Sequence, residues 1–164
     1  MKKFSIEIKW GIQFSIVTLV WMILEKSVGL HDEYIAKQAI YTNLFGIVAV
    51  VIYFLALRDK KKNDYAGSMD WKHGFISGLI LSFMIAVLNP FVQYITFTYI
   101  TPDFFANITN YAVSHNIQTQ QQAEIFFSLK SYTLQGIFNA LSMGVITAAL
   151  VALLVKTKDQ RHEK

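Results

Sequence analysis

Hydrophobic residues are concentrated in four long segments, and polar residues are concentrated in the short stretches between them. The segments predict membrane-spanning helices at about 8–28, 38–57, 73–100 and 132–156. A bilayer core about 30 Å thick requires about 20 apolar residues in a helix. A soluble domain of 164 residues has no need of four such segments. The pattern therefore predicts an all-α integral membrane protein, with residues 1–164 as one four-helix membrane domain.

The four predicted spans differ in apolar length and in regularity. The first has only the apolar stretch 10–24 before Glu25, about 22 Å of helix at 1.5 Å per residue. We therefore expect Lys9 and Glu25 to extend toward the two interfaces. No small-x-small cleavage site follows this span, which predicts an uncleaved helix and not a signal peptide. The third span contains Asn89-Pro90, which predicts a kink because proline lacks a backbone donor.

The basic residues are distributed unevenly between alternate junctions. Twelve of the 15 Lys and Arg residues lie in the N-terminal stretch, in the loop 58–73 and after residue 155. The opposite side has only Lys26, Lys37 and Lys130. By the positive-inside rule, both termini are predicted to be cytoplasmic and the segment 101–131 to lie outside.

Composition agrees with the hydropathy pattern. Hydrophobic residues make up 54% of the chain and charged residues 16%, whereas soluble domains have about 25% charged residues. The absence of cysteine excludes disulfides and thiolate metal sites. The net charge of +4 comes from residues at the ends of apolar spans, so we expect membrane lipid as a partner and no nucleic acid.

Two rows of small residues occur at strict four-residue spacing in the third and fourth spans. The third span has Gly74, Gly78, Ser82 and Ala86; the fourth has Gly136, Ala140, Gly144, Ala148 and Ala152. Small residues allow the backbones of two membrane helices to approach closely. We therefore predict that the two spans pack through these rows. The alternative is that one row forms a homodimer and the other is incidental.

The segment 101–131 is predicted to form a helical hairpin outside the membrane. Thr101-Pro102-Asp103 is a typical helix start, Asn116 marks a break, and Thr119 with Gln122 fits a capping box. The second helix is long enough to continue into the fourth span. The apolar face of the first helix either packs against its neighbours, which we prefer, or lies in the headgroup layer.

Polar residues inside the spans are the candidate site. The second span has Asn43, the third has Asn89 and Gln93, and the fourth has Gln135, Asn139 and Ser142 on one face. Asn89, Gln93, Gln135 and Asn139 are predicted to fall toward the outer half of the bundle. Unpaired amides are costly in hydrocarbon, so they must meet one another, water or backbone groups. They either line a polar cavity or form interhelical hydrogen bonds. The spans have no ionisable residue deep inside, which argues against a proton-coupled transporter.

A second group of polar residues lies in the first outer loop. Glu25, His31, Asp32 and Glu33, with His115 from the hairpin, carry oxygen and imidazole groups that can bind divalent cations. Their spacing matches no known metal motif. No nucleophile motif or phosphate-binding loop occurs either. We therefore expect no metal, no cofactor and no enzymatic activity; an enzyme built on Glu25 and His31 is the least favoured class.

Several strings of the chain resemble one family of membrane proteins. They are WMILEK at 21–26, GLH at 29–31, AIYTN at 39–43, ALRDKK at 56–61, WKHGF at 71–75 and ITPDFF at 100–105. Their order and spacing are similar to those of the bacterial family called domain of unknown function 4199. The resemblance covers nearly the whole chain. It implies a short multi-spanning protein of the bacterial cytoplasmic membrane, and it supplies no activity or ligand.

The function class favoured by the sequence is a structural or accessory subunit that contacts a second copy or other membrane proteins. The small-residue rows and the lack of a catalytic constellation support it. The alternative is a small channel or transporter for a neutral solute, lined by the amides of the spans.

Overall fold

The computed structural model describes residues 4–157, and all regular secondary structure in this range is helical. The elements are α1 Ser5–Ser27, α2 Ile35–Thr42, α3 Phe45–Asp64, α4 Trp71–Ile95, a π-helical turn Thr96–Ile100, α5 Phe104–Ser114, α6 Gln120–Phe126 and α7 Leu129–Val155. Four stretches are long and apolar enough to cross a membrane: Ser5–Ser27, Ile35–Asp64, Trp71–Ile100 and Leu129–Val155. The predicted all-α class is confirmed, with four stretches that have the length and apolar composition of membrane spans.

The four long stretches run antiparallel, which gives the molecule two ends. One end, which we call the terminal end, contains the start of α1 and the ends of α3 and α7. There Glu7 of α1 pairs with Lys60 of α3, and Lys61 donates to the carbonyl oxygen of Val155. At the other, the hairpin end, Asn107 of α5 donates to the carbonyl oxygen of His31. Which end faces the cytoplasm stays a prediction from the charge pattern.

The second spanning stretch is not the single helix that the sequence predicted. It is broken at Asn43–Leu44 into α2 and α3. The Asn43 amide donates to the carbonyl oxygen of Ala39 at 2.6 Å, a local bond of the kind that competes with a helix ladder. The stretch also continues to Asp64, beyond the predicted end at residue 57. Lys60 pairs with Asp64 one turn later and with Glu7, which stabilises this polar extension.

Helices α4 and α7 pack closely through the two small-residue rows. A methyl group added to Gly78 would lie 2.5 Å from Cβ of Ala148, and one added to Gly74 would lie 3.2 Å from Cβ of Ala152. Further along, Gly144 meets the Ser82 side chain. The antiparallel register that joins these pairs places Ala86 opposite Ala140. Gly136, the last of its row, lies against the Asn89 amide.

The hairpin end differs in two details from the sequence prediction. The capping box of Thr119 and Gln122 is present at the start of α6. However, α6 ends at Phe126 and α7 begins separately, with Ser128 as its N-cap, so no continuous long helix forms. Helix α5 begins after Asp103, not at a Thr101 cap, because the Thr101 N–H bonds to Thr96 and closes the π-helical turn.

The apolar face of α5 packs against its neighbours. Phe104 is almost completely buried and forms a cluster with Phe97, Phe105 and Tyr132, whose rings lie within 4.4–5.8 Å of one another. This packing agrees with the preferred interpretation of the amphipathic helix and leaves its face covered by the fold itself.

Candidate functional site

Two adjoining cavities lie between the long helices. The inner cavity has a volume of about 260 Å³, and the upper cavity, toward the hairpin end, has about 420 Å³. Both are lined in part by Thr18, Val92, Gly136 and Asn139, so we call them together the double cavity. Side chains from α1, α3, α4 and α7 form the walls of the inner cavity. The upper cavity adds residues of α2, α5 and the π-helical turn.

The double cavity brings together five of the six polar residues selected from the sequence. Asn89 lines the inner part, Asn43, Gln93 and Gln135 line the upper part, and Asn139 lines both. Ser142 is the exception, because it lines neither cavity and its hydroxyl donates to the carbonyl oxygen of Phe138 in the same helix.

The cavity amides do not hold the bundle together. Among residues 4–157, the side chains of Asn89, Gln93 and Asn139 make no hydrogen bond, and the buried Oδ1 of Asn89 has no partner. Asn43 and Gln135 bond only within their own helices, to Ala39 and Ser131. The interpretation of these amides as interhelical hydrogen bonds is therefore wrong for the described part of the chain. Since unpaired amides are costly in a membrane interior, they require a partner from outside the fold.

Helix irregularities are concentrated around this double cavity. The break at Asn43–Leu44, Pro90 within α4 and the π-helical turn Thr96–Ile100 all adjoin it. Non-helical backbone inside a membrane is tolerated where it lines a cavity, and π-helical turns occur frequently at functional sites. Thr96, a residue that the sequence analysis did not select, has a buried Oγ1 without a partner in this wall.

The remaining walls are uncharged, and apolar side chains make up much of the inner cavity. Phe14, Phe45, Ile85 and Met143 are among the lining residues of the inner cavity. Neither part of the double cavity is lined by Asp, Glu, Lys, Arg or His. A charged molecule would therefore lose its hydration without gaining a counter-ion, so the cavity favours uncharged molecules.

A packed layer separates the double cavity from the terminal end. Tyr53 and Ser82 form a buried hydrogen bond of 2.8 Å, and the Ser82 hydroxyl lies 2.8 Å from the Gly78 carbonyl oxygen. Leu57, Leu81 and Val151 fill the space beside them and are almost completely buried.

Glu25 and His31 form a buried pair at the hairpin end. Their side chains are 3% and 2% exposed, and Nε2 of His31 lies 3.1 Å from Oε2 of Glu25. The Trp21 indole donates to the other carboxylate oxygen. The Glu25 side chain is thus buried within the fold against His31 and does not extend away from it. Asp32 and Glu33 are exposed, and His115 bonds to Tyr111, so the structure does not bring the five together. Residues 4–157 contain no group of three metal-ligating side chains.

A second buried charge lies at the terminal end. Glu7, 2% exposed, pairs with Lys60 at 2.9 Å and accepts a hydrogen bond from Ser77. The hydropathy pattern predicts Glu7 outside the apolar stretch of the first span and Lys60 in a loop, so it gives no indication of this network. Lys9, by contrast, is exposed and pairs with Asp59. The four-residue spacing of Lys60 and Asp64 was the one available signal that the helix continued.

A family model described as a protein of unknown function (DUF4199) matches residues 9–157. No curated protein and no solved structure gave a significant match.

Proposed function

We propose that this chain, which belongs to the DUF4199 family of proteins of unknown function, binds a small uncharged organic molecule in the double cavity between its four long helices. The observation that carries the proposal is the set of three amides, Asn89, Gln93 and Asn139, which line the cavity without a hydrogen bond in the described part of the chain. A ligand with both donor and acceptor groups would satisfy them.

The size and walls of the inner cavity define the ligand class further. Its volume of about 260 Å³ exceeds the roughly 150 Å³ of an engineered cavity that holds benzene. The inner cavity therefore suits a molecule somewhat larger than one ring. The aromatic and aliphatic walls favour an apolar body, and the amides favour one or two polar groups.

The binding role is preferred to the accessory role. The small residues that would bring a second copy or another subunit close are covered by the contact of α4 with α7. A transporter remains a second candidate, because the double cavity reaches Tyr132 and Phe104 at the hairpin end and stops at the Tyr53–Ser82 layer. Release on the other side would require that layer to open.

The test uses cysteine labelling, since the natural chain contains no cysteine. Thr18→Cys places a thiol in the double cavity and leaves the three amides in place, and the control Val20→Cys places one on an exposed position of the same helix outside the cavity. In lipid nanodiscs the neutral reagent N-ethylmaleimide is expected to label Thr18→Cys at least about tenfold faster than Val20→Cys, because a thiol against hydrocarbon rarely ionises. A sulfonate-bearing thiol reagent is expected to label it slowly.

Binding is tested in the same assay by protection. Indole, a neutral ring with one N–H donor, is expected to slow the labelling of Thr18→Cys, and the charged indole-3-acetate is not. Equally slow labelling of Thr18→Cys and Val20→Cys, or equal protection by both compounds, would contradict a cavity for uncharged ligands.

A further inference from the structure

A separate pocket lies at the terminal end, between the end of α3, the turn that follows it and the end of α7. It has a volume of about 370 Å³, and its lining includes Phe54, Arg58, Lys61, Lys62 and Leu154. Gly67 completes the wall; its φ of +86° and the bond from its N–H to the Lys61 carbonyl oxygen curl the turn back over the helix end. None of these residues belongs to the double cavity.

The charges in this pocket are not neutralised by the carboxylates nearby in sequence. Asp59 points to α1, where it pairs with Lys9 and accepts from the Trp10 indole. Asp64 pairs with Lys60. Within residues 4–157, Arg58, Lys61 and Lys62 therefore have no carboxylate partner.

The three cations are held differently. The Lys61 ammonium donates to the carbonyl oxygen of Val155 at 2.8 Å, which caps the C-terminal end of α7. The Arg58 guanidinium lies 5.6 Å from the centre of the Phe54 ring, an arrangement that orients the planar group. Lys62 is exposed. Arg58 and Lys62 thus keep their donors available for an anion, and a guanidinium matches the geometry of a phosphate.

The apolar part of the pocket shows which kind of anion fits. Leu154 lies in the last turn of α7 and is 71% exposed. In α3, Leu55 follows Phe54 in the sequence and is also exposed. A pocket with cations on one side and hydrocarbon-facing side chains on the other matches an amphiphile at the membrane surface. We infer that this pocket binds the phosphate headgroup of an anionic phospholipid, with the acyl chains along Leu154.

The test measures lipid retention by native mass spectrometry of the full chain, released from detergent that contains equal amounts of phosphatidylglycerol and phosphatidylcholine. The natural chain is expected to retain phosphatidylglycerol. Lys62→Gln is expected to reduce that retention about fivefold, and Arg58→Gln with Lys62→Gln about thirtyfold. The control Lys130→Gln removes an exposed charge at the hairpin end and is expected to change nothing.

Three outcomes would overturn the inference. They are equal retention of the two lipids, an equal loss with Lys62→Gln and Lys130→Gln, and displacement of phosphatidylglycerol by inorganic phosphate at the same concentration. The last outcome would assign the pocket to a free anion. Since Lys62 is exposed, the single variant tests the inference even if the double variant does not fold.

Discussion

Asp70 determines where α4 begins. Its carboxylate accepts a hydrogen bond of 2.7 Å from the backbone N–H of His73, which satisfies one of the free donors of the first helical turn. This backbone bond is the main cause that lowers the pKa of Asp70 below its ordinary value of 3.8, and the His73 ring and Lys72 add to it.

The lowered pKa gives a pH dependence with a definite sign. Folded Asp70 holds its proton less tightly than unfolded Asp70, so its contribution to stability is complete above pH 3.8 and is lost as the pH falls through the depressed pKa. We expect Asp70→Ala to lower the thermal midpoint in detergent at pH 7, with a difference from the natural chain that shrinks below pH 3.8.

The variant Asp70→Asn serves as the matched control, because its amide oxygen still accepts the bond but does not titrate. The difference between Asp70→Asn and Asp70→Ala should stay constant with pH. If it shrinks in acid as well, the carboxylate is not the origin of the effect.

Single polar residues show where sequence reasoning reaches its limit. Glu25 precedes Lys26 and a turn, so burial of its side chain was not visible in the pattern. It is buried because the loop after α1 returns His31 to it, a contact that depends on Asn107 and Phe104 far along the chain. The burial of Glu7 depends in the same way on Lys60 and on α4. The sequence alone does not show which of these residues, distant along the chain, come into contact in the fold.

Helix packing is the level at which the sequence was most informative. The rows of small residues repeat every four positions, and this spacing alone specifies one face on each helix. The structure places both rows in the contact between α4 and α7. The helix interruptions were not predictable in the same way. Positions 43–44 contain neither Gly nor Pro, and the π-helical turn begins six residues after Pro90.

The close contact of α4 with α7 gives a prediction for Gly78. In Gly78→Ala the new methyl group would lie 2.5 Å from Cβ of Ala148 and 3.1 Å from its Cα, so the helices must separate. We expect the free energy of unfolding to decrease by about 1–3 kcal/mol, as is typical of overpacked sites. Thermal unfolding in detergent measures it.

Gly46→Ala is the control for this experiment, since a methyl group there meets nothing within 4 Å. It should leave stability unchanged or raise it through helix propensity. A Gly78→Ala variant that keeps the stability of the natural chain and loses only an oligomer would instead support the homodimer alternative.

The whole molecule is predicted to place both termini in the cytoplasm. The basis is the concentration of 12 of 15 basic residues at the terminal end and in the terminal stretches. A fluorescent protein fused after Lys164 is expected to fluoresce, and alkaline phosphatase at the same position is expected to be inactive. Phosphatase inserted after Asn116, in the hairpin, should be active. The reverse pattern at both positions would show that the orientation is inverted.

The site as a whole was predictable only in part. Polar residues four apart on neighbouring helices identified the face, and five of the six residues line the double cavity. The sequence did not reveal that their amides would remain unpaired. That outcome depends on the width of the gap between α1, α3 and α7, which is a property of backbone positions and not of residue spacing.

The π-helical turn at Thr96–Ile100 determines the direction in which the chain enters α5 at the hairpin end. An α-helix advances the chain by about 100° of azimuth per residue, and a π-turn accommodates one surplus residue without that advance. Deleting Thr98 would return the turn to α geometry and change the azimuth at which α5 leaves the bundle. Phe104 would then move away from the imidazole of His31, whose ring centre is 5.2 Å from that of Phe104 at present. The buried His31, which pairs with Glu25, would become accessible from that side.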